Sequence, residues 1–208
     1  MKKILELFSG TGSVGNVFRE HGWEVTSLDL LMKADINIDI LKWDYKAYPP
    51  GHFNMIWASP PCTEYSRAKT VGVRRIEEAN KIVKTTLEII NYFSPPCWVI
   101  ENPQTGLLKN QTFMGTLPYK DVDYCKYGMP YRKRTRLWNN LERWSAKLLC
   151  ERDCGRMEAN GKRHQQVAQQ TPKENKANWG ERHKFKRSDL YKIPTELVNE
   201  IFETVSSH

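Results

Sequence analysis

The pattern of apolar and polar positions divides the chain into short apolar runs and longer stretches of helical periodicity. Apolar runs that predict buried β-strands lie at residues 3–8, 23–28, 53–58 and 97–100. Val14, Val17 and Phe18 recur at helical spacing, and residues 76–93 form the longest amphipathic stretch, ended by two prolines. Because strands and helices alternate, the pattern predicts an α/β fold with a doubly wound, mostly parallel sheet. Residues 195–205 predict a further helix that packs back on the sheet near the first strand.

The first predicted strand runs directly into a glycine-rich turn. Gly10, Gly12 and Gly15 have the spacing G-x-G-x-x-G, and the second strand ends at Asp29, 19 residues after Gly10. Strand, glycine turn, helix, strand and acid is the arrangement that places a nucleotide over a helix N-terminus, with its ribose hydroxyls on a carboxylate. The sequence therefore predicts a nucleoside-type cofactor, without deciding between a dinucleotide and S-adenosylmethionine (SAM).

A second acid, Asp39, lies in a third strand-like run at residues 36–41. A carboxylate at the end of such a strand can accept a hydrogen bond from the exocyclic amine of adenine. The alternative is an acid that caps a turn, which is the commoner role for a single aspartate.

Two reactive side chains follow the next two predicted strands. The run at residues 53–58 leads to Cys62, within the sequence Pro-Pro-Cys, and the run at residues 97–100 leads to Glu101. Ligands bind at the carboxyl ends of strands in an open α/β sheet. A thiol and a carboxyl at one such edge can therefore act as nucleophile and acid on the same substrate. The alternative for Cys62 is a packing role, which is the usual one for a buried cysteine.

Charge is unevenly distributed along the 208 residues. The formal net charge is +8, but residues 126–187 hold 17 Lys and Arg against 6 Asp and Glu, so the rest of the chain is at −3. Tryptophan and tyrosine side chains are interleaved with these cations, which favours stacking on bases and contact with a nucleic-acid backbone. A solvated, cation-rich surface is the alternative from charge alone.

Features of secreted and membrane proteins are absent from the sequence. No apolar run approaches the ~20 residues that a membrane-spanning helix needs, and the N-terminus reaches Glu6 too early for a signal peptide. Five cysteines without such a signal favour reduced thiols over a disulfide framework. These features predict an intracellular protein without a membrane partner.

Cysteine and histidine residues near the basic segment form a candidate zinc set. Cys150, Cys154 and His164 are its members, with Cys125 or His183 as a fourth ligand. Structural zinc sites usually show two tight cysteine pairs, whereas here one pair is separated by three residues. The sequence therefore favours reduced surface thiols in a loop, and no bound metal.

Taken in chain order, these motifs resemble the cytosine-C5 DNA methyltransferase family. Residues 7–12 resemble the family's SAM-binding motif, and the Pro-Pro-Cys sequence at residues 60–62 matches its catalytic sequence. Glu101-Asn102 matches the family's Glu-Asn-Val, with Pro103 in place of valine.

The later motifs follow in the family's order. Residues 127–130, followed by Arg134 and Arg136, resemble the segment that carries an Arg-x-Arg pair, and residues 190–194 resemble the last motif. The matches cover about residues 3–138 and 188–205. Two departures stand out: the last motif lacks the usual Gly-Asn, and aligning the two arginines requires a one-residue insertion.

The resemblance implies a Rossmann-like SAM-dependent methyltransferase fold and methylation of a cytosine in double-stranded DNA. The residues implied to bind SAM are Phe8, Gly10, Gly12, Asp29, Asp39 and Pro60, with Asp29 at the ribose and Asp39 at the adenine. The residues implied to act on the base are Cys62, Glu101, Arg134 and Arg136.

Three parts of the chain are expected. Residues 1–138 are predicted to form the SAM-binding catalytic domain, residues 139–187 a small, basic, irregular target-recognition subdomain, and residues 188–208 a C-terminal helix that packs back on the catalytic domain. The resemblance implies a minimal enzyme, of the kind seen among viral and phage members, because fewer than fifty residues are left for target recognition.

The implied chemistry follows from the cytosine ring. Atom C5 is a poor nucleophile, but a thiolate from Cys62 that adds to C6 turns the ring into an enamine with electron density at C5. Glu101 is expected to protonate N3 and to accept from the N4 amine. Arg136 is expected to hold O2, and Arg134 to orient the thiol or the base. In duplex DNA, the target cytosine must first be turned out of the base stack, which costs roughly a few kcal/mol.

Three other functions are weighed against this one. The same chemistry on RNA fits equally well, because the basic segment serves either polymer. A catalytically silent nucleic-acid-binding protein would not need the thiol of Cys62. A nicotinamide-dependent oxidoreductase is disfavoured, since no part of the sequence resembles a hydride-transfer site.

Overall fold

The computed structural model describes residues 1–168 and 189–207. The strands of these residues are β1 (Lys3–Leu7), β2 (Glu24–Leu28), β3 (Met55–Ala58), β4 (Cys97–Pro103), β5 (Tyr119–Asp123) and β6 (Arg134–Asn139). The α-helices are α1 (Ser13–Glu20), α2 (Ile76–Phe93) and α3 (Thr195–Ser206). None of the helices in these described residues is long and apolar enough to cross a bilayer.

The strands form one sheet in the order β2-β1-β3-β4-β6-β5. The first four in this order run parallel to one another, and β6 is antiparallel to both of its neighbours. The prediction of a mostly parallel sheet is therefore confirmed. The chain moves from β1 outward to β2 and then returns to β3 on the other side of β1. Open α/β sheets bind ligands at such a change of direction, outside the carboxyl ends of the strands, which here are β1 and β3.

Helices cover both faces of the sheet, as the doubly wound prediction requires. On one face, Ile4 belongs to the same apolar cluster as Phe18 of α1 and Leu197 of α3. On the other face, Leu5 and Val83 of α2 share a second cluster. The two faces alternate along β1 because successive side chains of a strand point in opposite directions. Helix α3 packs on α1 beside the first strand, as its apolar pattern predicted.

The prediction of a third strand at residues 36–41 is wrong. Only Ile36 pairs with Leu28, in an isolated bridge, and the chain then turns into a short 3₁₀ helix at Ile40–Lys42. Asp35 accepts from the backbone N–H and the hydroxyl of Ser27, and Asp39 caps the turn. Side chains of aspartate bind nearby backbone N–H groups in this way and thereby compete with strand pairing.

Strand β4 is longer than its apolar run indicates. It continues past Ile100 to Pro103, because β6 pairs with its last residues and supplies the missing hydrogen bonds. Glu101 therefore lies inside a strand, opposite Leu137, and not in the loop that follows one.

After β6, the basic segment continues as irregular chain that packs on the body of the protein. In the described residues 140–168 there is no helix or strand, and Leu141 and Trp144 are buried in the cluster that contains α3. Residues 169–187 lie outside the described part, so the division into three parts stays a prediction.

A buried acid, Glu6, supports the start of α1. Its carboxylate oxygens accept from the backbone N–H groups of Val14 (3.2 Å) and Gly15 (3.0 Å). A Cβ atom on Gly15 would lie 2.5 Å from Glu6 Oε2, so the third glycine makes room for the carboxyl group. Burial raises the pKa of Glu6 to about 7, against the lowering effect of these two N–H donors.

Glu6 should make the fold less stable as pH rises, which is the reverse of the usual effect of a carboxyl group. Because its folded-state pKa lies above the ordinary 4.5, the stabilisation is fully present below about pH 4.5 and is lost as pH rises through about 7. Relative to Glu6→Gln, which does not titrate, the free energy of unfolding of the native chain should fall by up to about 3 kcal/mol across this window. Urea unfolding of both chains between about pH 5 and pH 8 measures this difference. A difference that does not change with pH would contradict the burial effect.

Candidate active site at the carboxyl ends of β1, β3 and β4

The glycine turn after β1 folds against the end of β2. Phe8 adopts a left-handed backbone (φ 58°), which is costly for a residue with a side chain, and Gly10 and Gly12 follow at φ 52° and 69°. The backbone N–H of Gly10 donates to Asp29 Oδ2 at 2.9 Å. The structure therefore brings Gly10 and Asp29, two of the predicted cofactor residues, into direct contact.

Asp29 also organises the chain that follows it. Its Oδ1 accepts from the backbone N–H groups of Leu31 and Met32, each at 2.8 Å. Leu31 is 88% exposed, and its neighbours Leu30 and Met32 are exposed as well. A carboxylate has about four acceptor positions, so three backbone donors leave capacity for a hydroxyl, next to an exposed apolar surface.

Asp39 lies in the turn after the bridge at Ile36. Its Oδ1 accepts from the backbone N–H of Leu41 at 3.0 Å, which is the capping role that the sequence also allowed. A contact between Asp39 and the cofactor stays a prediction.

The Pro-Pro-Cys loop is anchored to both neighbouring strands. On one side, the N–H of Ser59 donates to the carbonyl of Leu7 at 3.1 Å. On the other side, Asn102 Nδ2 donates to the carbonyl of Pro60 at 2.9 Å. Asn102 is fully buried, and among the described residues its Oδ1 has no hydrogen-bond partner. The second residue of the Glu-Asn pair thus ties the loop that carries Cys62, a partly buried thiol, to the strand that carries Glu101.

Glu101 is 6% exposed and has two polar neighbours. The hydroxyl of Tyr124 donates to Glu101 Oε1 at 3.1 Å, and Lys133 Nζ lies 3.8 Å from the same oxygen. Burial, and secondarily the charge of Glu101, raises the pKa of Tyr124 well above its usual range, so the phenol stays a donor. Lys133 Nζ also lies over the ring of Tyr124 and donates to the carbonyl of Leu190.

The two predicted arginines are held by aspartates on the neighbouring strand. Arg134 binds both carboxylate oxygens of Asp123 at 3.0 and 2.7 Å, and Arg136 binds those of Asp121 at 2.8 and 2.9 Å. Arg136 pairs with Asn102 across the sheet, whereas Glu101 pairs with Leu137. Because side chains alternate along a strand, both arginines lie on the face opposite Glu101.

Several residues of this region escaped the sequence analysis. Tyr124, Asp121 and Asp123 carry no motif, although the alternation of charge in residues 119–123 complements the Arg-x-Arg pair across the strand. Lys133 had a signal: without the one-residue insertion, it takes the position of the first arginine.

A cavity of about 600 Å³ lies beside the glycine turn, between the start of α1 and the start of α3. Its walls include Thr11, Ser13, Met129 and residues 192–196. None of the predicted site residues lines it. It is therefore distinct from the edge at which Cys62 and Glu101 lie.

Comparison with known proteins finds a viral relative. Over 174 residues the chain is 38% identical to a protein of Frog virus 3 (isolate Goorha) that is named a probable DNA (cytosine-5)-methyltransferase, with 76% of this chain and 80% of the relative covered. No protein-family model matches the chain.

A solved structure of a bacterial protein has the same fold. A candidate DNA modification methyltransferase encoded within an E. coli prophage superimposes with a TM-score of 0.54 at 14% identity, over 72% of this chain and 52% of that chain. The chain thus spans about half of this structural neighbour. A Spodoptera frugiperda DNMT2 variant matches at 17% identity over 71% of this chain and 55% of that one. Its TM-score of 0.48 is too low to support a shared fold. The Rossmann-like methyltransferase fold is confirmed, and, by its identity to the viral relative, the chain belongs to the DNA (cytosine-5)-methyltransferase family.

Proposed function

We propose that this protein transfers a methyl group from SAM to C5 of a cytosine in double-stranded DNA, through a covalent adduct between Cys62 and cytosine C6. The observation that carries the proposal is the hydrogen bond from Asn102 to Pro60, because it couples the thiol loop to the strand of Glu101. A nucleophile and an acid joined in this way, in a chain of this family, suit attack on an aromatic ring.

The environment of α1 favours SAM over a dinucleotide. A pyrophosphate binds at the first N–H groups of the helix that follows a glycine turn. In this chain the N–H groups of Val14 and Gly15 are already bound by the carboxylate of Glu6. SAM carries no phosphate, so it needs only the ribose contact at Asp29 and the apolar surface of residues 30–32. When bound, SAM supplies an electrophilic methyl group.

The thiol of Cys62 opens the reaction. The nucleophile is the thiolate of Cys62, whose sulfur forms a bond to C6 while N3 takes a proton from Glu101, and the product is an enamine with electron density at C5. C5 would take the methyl group from the SAM sulfonium, which would leave as a neutral thioether. Loss of the C5 proton to water and return of the N3 proton to Glu101 restore the double bond as the bond between sulfur and C6 breaks. The thiolate is regenerated, so the residue is a true catalyst.

Glu101 supplies the proton to N3 in this proposal. Tyr124 holds one of its oxygens with a donated hydrogen bond, so the carboxyl group meets the base in one orientation. The same carboxyl group accepts from the N4 amine, which is how acidic side chains recognise cytosine.

Lys133 fills the role that the sequence assigned to an arginine. It is the cation that lies 3.8 Å from Glu101, whereas Arg134 and Arg136 are bound to Asp123 and Asp121 on the other face. We propose that Lys133 stabilises negative charge at Glu101 and the base. Contact of Arg136 with O2 and of Arg134 with the thiol or base is the competing assignment.

The proposed polymer partner is DNA with its target cytosine turned out of the stack, and the proposed compartment is the host cytoplasm or nucleus. Exposed cations of the described basic segment are Arg132, Arg143, Arg152, Arg156, Lys162 and Arg163. Lys126 and Lys147 are instead paired with acids, Lys126 with Asp153 and Lys147 with Glu196 and Glu200. RNA of the same sequence is the matched control substrate, because phosphate contacts do not separate the two polymers.

Cys62→Ser should abolish methyl transfer and leave the affinities for SAM and DNA nearly intact, because a neutral hydroxyl does not add to C6 as a thiolate does. Glu101→Gln should slow turnover by ~10²–10⁴-fold. The measurement is transfer of labelled methyl groups, with mass spectrometry of the adduct formed on DNA that contains 5-fluorocytosine. Cys97→Ser, at a buried thiol in β4, is the control. Wild-type turnover in Cys62→Ser would end the proposal.

Lys133→Ala should lower kcat by ~10²-fold, the order expected when one charge-stabilising donor is removed from an active site. Arg132→Ala removes a neighbouring exposed cation and should change only the affinity for DNA. Single-turnover rates at saturating DNA separate the two effects. If Arg136→Ala loses its rate while Lys133→Ala keeps it, the competing assignment to the arginines is correct.

Asp29→Ala should weaken SAM binding by roughly 1.5–3 kcal/mol, since a charge-assisted hydrogen bond to the ribose is lost. Isothermal calorimetry with SAM measures this change, and NAD serves as the comparison ligand. Binding of NAD by the native chain, or unchanged SAM affinity in the variant, would contradict the assignment of the cofactor.

A further inference from the structure

We propose that Cys125, Cys150, Cys154 and His164 bind one Zn²⁺ ion, which fastens the irregular basic segment to the end of β5. This inference does not depend on the proposed methyl transfer. It replaces the expectation from the sequence, which favoured surface thiols and no metal.

The geometry of the four side chains suits a tetrahedral ion. Their ligand atoms all lie within 4.8 Å of one another, and Cys150 Sγ lies 3.5 Å from His164 Nε2. Zn–S bonds of ~2.3 Å and Zn–N bonds of ~2.0–2.1 Å place neighbouring sulfurs ~3.8 Å apart, and a sulfur and nitrogen ~3.6 Å apart. The Cys150–His164 distance already matches, and no other pair of ligand atoms needs to close by more than about 1 Å.

The fold gathers these ligands from three separate pieces of chain. Cys125 lies in the 3₁₀ turn Tyr124–Tyr127, directly after β5. Cys150 is positioned by its backbone N–H, which donates to Asp123 Oδ2 at 2.9 Å. Residues 156–165 then double back, with a bridge between Met157 and His164. The fourth ligand is therefore Cys125, far away in sequence, and the other candidate, His183, lies outside the described residues.

Burial and chemistry both favour zinc over other occupants. Cys125 and Cys150 are buried, while Cys154 and His164 are partly buried, so Cys150 is not the surface thiol that its loop position indicated. Three thiols and an imidazole form a soft ligand set, which binds zinc and discriminates against magnesium and calcium. A disulfide would use only two of the three sulfurs that lie together here.

Backbone hydrogen bonding supports a charged thiolate at Cys150, whereas burial raises the pKa of the Cys125 thiol. The N–H of Arg152 donates to Cys150 Sγ at 3.3 Å, and Arg152 holds a left-handed backbone (φ 75°) to do so. Hydrogen bonds of this kind orient metal ligands and disperse their charge. Three thiolates and one Zn²⁺ leave a net charge of −1; Arg156, which lines the same cavity as Cys125 and Cys154, can offset it, whereas Lys126 is already paired with Asp153. A surface cavity of about 320 Å³, lined by Cys125 and Cys154, offers the ion a path of entry.

The experiment measures zinc in the full chain, purified under reducing conditions. Elemental analysis should find about one zinc per chain, and Co²⁺ in its place should give the absorption of a tetrahedral thiolate complex. Cys154→Ser and His164→Ala should lower zinc affinity, measured by chelator competition, by more than the ~10–100-fold typical of losing an outer-shell partner. His164→Cys preserves four ligands and should keep the zinc.

Cys97→Ser removes a buried thiol outside the cluster and should keep the zinc as well. If the ligand variants do not fold, titration of the native chain with an organomercurial should release the ion as the thiols react. Zinc absent from the native chain after reduction and addition of zinc would overturn the proposal. So would zinc retained equally in all variants, or a disulfide between two of the three cysteines under the reducing conditions.

Discussion

The buried carboxylate of Asp123 joins the three pieces of chain on which the candidate site depends. It accepts two hydrogen bonds from Arg134 of β6 and one from the backbone of Cys150 in the basic segment. Asp123 is the last residue of β5, and Tyr124 follows it directly. The contacts that hold Asp123 therefore also position Tyr124, whose hydroxyl donates to Glu101. A buried ion pair adds little net stability against an apolar pair of the same shape, but removing one partner typically costs about 3–5 kcal/mol, and less where one partner is partly exposed, as Arg134 is. Asp123 therefore specifies the arrangement more than it adds stability.

Elements whose signal is local were predictable from the sequence. The amphipathic stretch at residues 76–93 became α2 with the expected ends, because helical hydrogen bonds and the apolar face both lie within the segment. Strands β1 and β3 were predictable because buried parallel strands read as continuous apolar runs. In contrast, β5 and β6 carry charges at alternate positions, and these charges become compatible with a sheet only when Asp121 and Asp123 face the arginines. The pairing of β5 with β6 can be predicted only when the charges of both segments are compared, because neither segment alone indicates a strand.

The contacts of the candidate site also fall into two groups: those that single segments of the sequence predict, and those that depend on pairing between distant segments. The sequence placed Gly10 near Asp29, and the hydrogen bond between them agrees with this. It placed Cys62 and Glu101 at neighbouring strands, and Asn102 links the two segments through Pro60; direct contact of the two side chains stays a prediction. The contacts of Tyr124 and Lys133 with Glu101 join residues 23 or more positions apart through the antiparallel pair β5–β6. For the same reason the cysteine cluster looked weak, because its fourth member is separated from the others by the whole of β6.

Strand β5 lies at the edge of the sheet, where unpaired backbone groups can recruit a strand from another molecule. Its sequence of alternating charge, with Lys120 and Asp121 partly exposed, makes such recruitment unfavourable, since an incoming strand would have to desolvate both charges. The carboxylate of Asp121 thus has two consequences: it holds Arg136 in place, and it protects the open edge of the sheet against aggregation. A change that made β5 apolar to strengthen the core would expose the protein to edge-to-edge polymerisation.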